Sequence, residues 1–206
     1  MRKFPKNFAD IPTMEHRWPK KGDRLLVSSK DRQTAASFTS HQISREAFIW
    51  DGYMTAEAAL IDEAQRRPHD RDMLLYLILF NYRHGLEAAM KWTIERYGRL
   101  AHVELDVLDH DLWSLWKKCK AILTAVPTSD DDEPLKVVEQ VVRDFHGLDK
   151  HAVALRYSKN KNRRVILLPD KPIDLENVQR VMEAVDNFFK GADGLLADVE
   201  SASQDY

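Results

Sequence analysis

Phe80-Asn81-Tyr82-Arg83-His84-Gly85-Leu86-Glu87-Ala88-Ala89-Met90-Lys91-Trp92 decides the reading of this chain. Leu74, Leu75, Leu77, Ile78 and Leu79 lead into it, and Ile94 follows. Apolar residues therefore fall on every side of one long helix, the pattern of a helix in the interior. Yet Arg83, His84, Glu87 and Lys91 occupy a narrow arc, because positions three and four apart share a face. Charges in a core must be paired or must line a wet cleft, since an isolated buried ion is too costly.

Two meanings fit that polar stripe. In the first, Arg83, Glu87 and Lys91 form a structural ion-pair ladder that fixes the central helix against its neighbours. In the second, Arg83 and Lys91 bind a phosphate or carboxylate, with Glu87 or His84 orienting it. Asp109-His110-Asp111-Leu112 opens the following helix, where His110 reads first as a cap or packing residue and, in an antiparallel helix pair, also approaches the stripe.

Outward from this helix, other elements follow from periodicity and punctuation. Residues 53–67 read as a helix packed through Ala56, Ala59, Leu60 and Ala64, stopping before Pro68. The central helix is capped by Asp70 or Asp72 and ends near Gly98. Asp109 is the expected cap of a third helix, 110–125, packed through Leu112, Trp113, Leu115, Trp116 and Ile122. An acidic run, Ser129-Asp130-Asp131-Asp132-Glu133, precedes a fourth, with Leu135, Val138, Val141, Val142 and Phe145 inward. Acidic residues there suit a helix start, and their spacing does not call for a metal. Asp174 caps a last helix that frays after Gly191.

Between the last two helices the character changes. Val153-Ala154-Leu155-Arg156-Tyr157 and Val165-Ile166-Leu167-Leu168 flank a polar turn, the pattern of a β-hairpin over 153–168. Its tip gathers Arg156, Lys159, Lys161, Arg163 and Arg164. These either track a phosphate backbone or keep a small sheet edge soluble. Residues 1–47 read as an irregular arm, broken by Pro5, Pro12 and Pro19, with one short strand near 24–28 and with Phe4, Phe8, Ile11 and Trp18 as anchors. Residues 193–206 read as a flexible tail. The fold class is mainly α: an antiparallel bundle of about five helices with one small hairpin.

Composition bounds the function. The 206 residues carry 31 lysines and arginines against 33 acidic residues, so no global charge draws the chain to nucleic acid or membrane. A single cysteine, Cys119, excludes an internal disulfide and a multi-thiolate zinc site, and suits a reducing cytoplasm. No apolar run reaches the roughly 20 residues that span a bilayer. No residue pattern calls for a cofactor or metal.

Tyr82-Arg83-His84-x-x-Glu87-x-x-x-Lys91, followed by His110-Asp111-Leu112-x-x-Leu115, resembles the HEPN superfamily (higher eukaryotes and prokaryotes nucleotide-binding), whose members show a Glu-x-x-x-Lys helix and then a His-x-Leu helix. The likeness covers about residues 48–192, and its specific part is 80–116. It implies a four-helix up-down bundle, often homodimeric, that binds nucleotide or RNA, partners a nucleotidyltransferase, or cleaves RNA in stress or phage defence. By this resemblance Arg83, His84, Glu87, Lys91 and His110 would bind the ligand. The superfamily's nucleases carry Arg-x(4-6)-His, and this chain departs from that. Arg143 precedes His146 and His151 at the wrong spacings. Arg96 and His102 fit the count, but Gly98 lies between them. Catalytic candidates are therefore His84 with Arg83, or His102 with Arg96, for a metal-independent endoribonuclease. A scaffolding or antitoxin-like subunit, with the stripe purely structural, is the third reading.

Overall fold

The computed structural model describes residues 19–105, 108–126 and 133–204. The chain divides between Phe38 and Thr39. In the first unit, residues 19–38 form turns without helix or strand. The strand expected near 24–28 is absent: Leu25, Leu26 and Val27 are exposed and have no partner strand. The anchors expected at Phe4, Phe8, Ile11 and Trp18, and the acidic residues 129–132, lie outside the described residues.

The second unit contains five α-helices: α1 (Gln42–Arg66), α2 (Arg71–Tyr97), α3 (Leu112–Ala125), α4 (Glu133–Leu148) and α5 (Leu175–Gln204). Short 3-10 turns lie at Pro68–Asp70 and Gly98–Ala101. The mainly helical expectation holds. No strand occurs among the described residues, and the expected hairpin at 153–168 reduces to one isolated bridge between Lys159 and Val165. Two turns at 150–151 and 154–156 consume the residues that would have formed its first strand.

α1 begins at Gln42, eleven residues before the expected start, and Gly52 sits inside it with open space around its Cα. Its buried face is Trp50, Met54, Glu57, Ile61 and Ala64, a clean 4-3-4-3 spacing. Ala56 and Ala59, expected to pack, are exposed. The error has a physical source: a carboxyl group, Glu57, occupies a core position and breaks the apolar pattern.

Residue pairing gives the helix directions. Ala64 meets Arg71, Met54 lies against Gly85, and Trp50 lies against Trp92, so α1 and α2 are antiparallel. A Cβ on Gly85 would sit 3.0 Å from the Met54 methyl and 3.3 Å from Tyr53 Cβ, which makes this the close approach of the pair. Trp116 and Lys120 bond Glu139 while Asp111 faces His146, so α3 and α4 are antiparallel too.

α2 and α3 depart from the expected alternation. His110 meets Glu87 and Cys119 meets Thr93, so α3 runs in the same sense as α2. The connection from Gly98 to Asp111 is long enough to free α3 from the hairpin default, and it returns the chain to the level of Glu87, where His110 sits. α5 also follows α2: Trp92 Nε1 donates to Asp193 Oδ1 at 2.7 Å, and the Tyr97 hydroxyl donates to the same oxygen at 2.6 Å. These bonds and the buried Leu196 hold residues that were expected to be a tail, and the helix continues to Gln204. α2 is thus the central element, with Ile78, Leu86, Ala89, Met90, Ile94 and Tyr97 fully enclosed. Cys119, on α3, is equally enclosed, and burial pushes its thiol up to about 12.

Candidate functional site

α3 is capped by Asp111, whose Oδ1 accepts from Ser114 N at 2.9 Å. The expected cap, Asp109, instead accepts from Asp111 N. His110 therefore stays outside the helix and its carbonyl remains available. Arg83 Nη2 donates to that carbonyl at 2.7 Å, Nη1 donates to Glu87 Oε2 at 3.1 Å, and Nε donates to the Asp149 carbonyl at 2.9 Å. Glu87 Oε1 also accepts from Lys91 at 2.9 Å and lies 2.7 Å from His110 Nδ1. Burial pushes the Glu87 carboxyl up, but the Lys91 and His110 hydrogen bonds outweigh it and hold the group below its ordinary value.

The structure thus brings Arg83, Glu87, Lys91 and His110 together, His110 arriving at the start of a parallel α3 and not of the antiparallel helix expected. Their setting decides what they do. Arg83 is fully buried, and all three of its nitrogens bond to internal acceptors. It presents nothing to an incoming anion. Only Lys91 and His110, at the rim, meet solvent.

His84 does not join them. Its Nδ1 lies 3.1 Å from the Phe80 carbonyl, and its ring packs on Phe80 and on Tyr53 of α1, with centroids 4.2 and 5.5 Å away. A carbonyl only accepts, so Nδ1 carries the proton and Nε2 carries the lone pair. Burial, opposed by the Phe80 bond, lowers the affinity of this imidazole for a second proton. The other catalytic pair is not assembled as a unit either. Arg96 lies over the Trp92 and Tyr97 rings, and the exposed His102 closes the 3-10 turn in a left-handed conformation (φ 51°).

Asp149 links the buried cluster to the basic segment. Its carbonyl accepts from Arg83, while its carboxylate accepts from Val153 N, Ala154 N and Leu155 N at 2.7, 2.9 and 3.3 Å. This residue was not singled out from the sequence, because nothing local distinguishes an Asp just beyond a helix end as a three-amide acceptor. Beyond it, the Asn160 side chain accepts from Asn162 N and Arg164 N, and the Asn160 backbone N–H donates to the Arg164 carbonyl, which closes a tight loop with Arg163 left-handed (φ 60°).

Lys159, Lys161, Arg163 and Arg164 project from that loop and are exposed. Between Lys150 and Pro169 the chain holds five lysines and arginines and no acidic residue. A cleft of about 580 Å³ lies between this loop and the end of α4, lined by Asp149, Lys150, His151, Asn160, Lys161 and Asn162 among others. Arg156 turns aside, its guanidinium 5.7 Å from the Phe80 ring and 5.3 Å from the Tyr157 ring.

No group of three metal-ligating side chains occurs among the described residues, and none of their helices is long and apolar enough to cross a membrane. No protein-family model, curated protein or solved structure matches the chain.

Proposed function

We propose that this is a HEPN-like helical protein that binds RNA or a nucleotide through the 156–164 loop rather than through the stripe on α2. One observation carries this reading: Lys159, Lys161, Arg163 and Arg164 are held exposed in a loop closed by Asn160, with no carboxylate in the flanking sequence. A loop already ordered loses less entropy when it meets phosphates, and each neutralised phosphate releases counterions. The buried cluster supports the loop indirectly, through Asp149. Homodimerisation, a nucleotidyltransferase partner, a cytoplasmic site of action and a part in stress or phage defence rest on the resemblance and the composition.

The geometry favours binding over cleavage, since Arg83 is engaged internally and does not reach outward beside His84. The stripe alone fits the scaffolding alternative, and the loop is what argues beyond it. Fluorescence anisotropy with a labelled RNA oligonucleotide decides between them. Binding should weaken steeply with salt, and replacing Lys159, Lys161, Arg163 and Arg164 with serine should flatten the log–log salt slope by roughly 3. Absence of salt-dependent binding by the wild-type chain would refute the reading.

A further inference from the structure

Five side chains from three parts of the fold form a continuous run: Tyr53 of α1, His84 and Phe80 of α2, then Arg156 and Tyr157 of the basic segment. Successive contacts are 5.5 Å, 4.2 Å, 5.7 Å and 5.3 Å between rings or from guanidinium to ring. A core cluster would be enclosed. This one is not: Tyr53, Phe80 and His84 are half-buried, Arg156 is exposed, and Tyr157 is 58% exposed. The Arg156 Nε bond to the Ala152 carbonyl, 2.7 Å, fixes the guanidinium between two rings. Gly85 permits the α1 approach that brings Tyr53 against His84, and both Tyr53 and Phe80 are tilted 42° to the imidazole, so the rings present separate faces and not one plane. The His84 Nε2 bears the lone pair of the half-buried ring, and among the described residues the imidazole's one hydrogen bond is made by Nδ1.

Flat faces, a guanidinium plane and a hydrogen-bond acceptor beside a phosphate-binding loop are the parts that recognise an unpaired base. We propose that Tyr53, Phe80, His84, Arg156 and Tyr157 form a stacking platform for unpaired nucleobases, so that the ligand class is single-stranded nucleic acid rather than duplex. The proposal rests on the loop-binding reading and extends it: the loop holds the backbone and the platform holds a base. A duplex keeps its bases stacked on one another and offers the platform only its edge.

The test uses the full chain and three probes of equal length: a single-stranded oligonucleotide carrying 2-aminopurine, an abasic phosphodiester strand, and a duplex. The base-bearing single strand should bind at least about tenfold more tightly than the abasic strand, with 2-aminopurine fluorescence quenched on binding. Tyr157→Ser, at an exposed position, should remove most of that preference while leaving the salt slope intact. His84→Phe, which keeps a ring, should retain the quenching. Equal affinity for base-bearing and abasic strands, or preference for the duplex, overturns the platform while the loop reading stands. If no probe binds at all, both fall.

Discussion

The Arg83 guanidinium and the Glu87 carboxylate lie 3.1 Å apart one turn along α2, and both are enclosed by protein. The pair is the centre of a five-member network that ties α2 to the approach of α3 through His110 and to the end of α4 through Asp149. Its main action is therefore to set where the neighbouring segments dock.

Arg83→Met should lower unfolding stability by about 3–5 kcal/mol, because it leaves a buried carboxylate short of a partner, takes the Arg83 donor from the His110 carbonyl and leaves the Asp149 carbonyl only the long Ala152 N–H bond of 3.4 Å. Replacing the pair together, Arg83→Met with Glu87→Leu, should not restore wild-type stability, since the carbonyls of His110 and Asp149 still lose the short Arg83 bonds. Urea unfolding measures both; a double variant as stable as wild type would show the network to be dispensable.

Glu57 is fully enclosed between α1 and its neighbours, and neither carboxyl oxygen makes a hydrogen bond of good geometry. Burial pushes it up to about 8, with Asn81 pulling slightly the other way. The folded state therefore holds a proton that the unfolded chain releases near 4.5. Its contribution to stability is complete below pH 4.5 and fades as pH rises through about 8. Glu57→Gln should flatten this loss, and Glu57→Leu should raise Tm at pH 8, as read by thermal melts across the range.

Glu139 behaves in the opposite sense. Hydrogen bonds from Lys120, Arg143 and Trp116 hold it down to about 2, below the ordinary 4.5. The stability it gives is present above pH 4.5 and is lost as pH falls toward 2. Glu139→Gln should weaken the α3–α4 contact at pH 7 and make acid unfolding less steep in that interval.

Gly85→Leu should cost about 1–3 kcal/mol by overpacking against Met54 and Tyr53. It should also separate Tyr53 from His84. Nuclear magnetic resonance would register this as loss of the ring-current shift that one aromatic ring imposes on the other.

The central helix and the Asp174 cap (Oδ1 accepting from Glu176 N and Asn177 N) were legible because each depends on local spacing or local capping, whereas His110 reaches Glu87 through a parallel α3 and not the antiparallel pair expected. Three features were not. The buried face of α1 was set wrongly because Glu57 disguises a core position. The end of α5 was read as frayed because Asp193 finds its donors on Trp92 and Tyr97, about a hundred residues away. The separation of His84 from the Arg83 cluster is hidden because adjacency to Arg83 in sequence places it about 100° around the helix, toward Tyr53 of α1 rather than toward α3.

Cys119 gives the bundle a silent probe of its own breathing. Its sulfur is sealed between α3 and α2 and is held in the unreactive thiol form. Alkylation can proceed only while those helices part, so the rate of labelling clocks that opening and reads out the strength of the seam at the heart of the molecule.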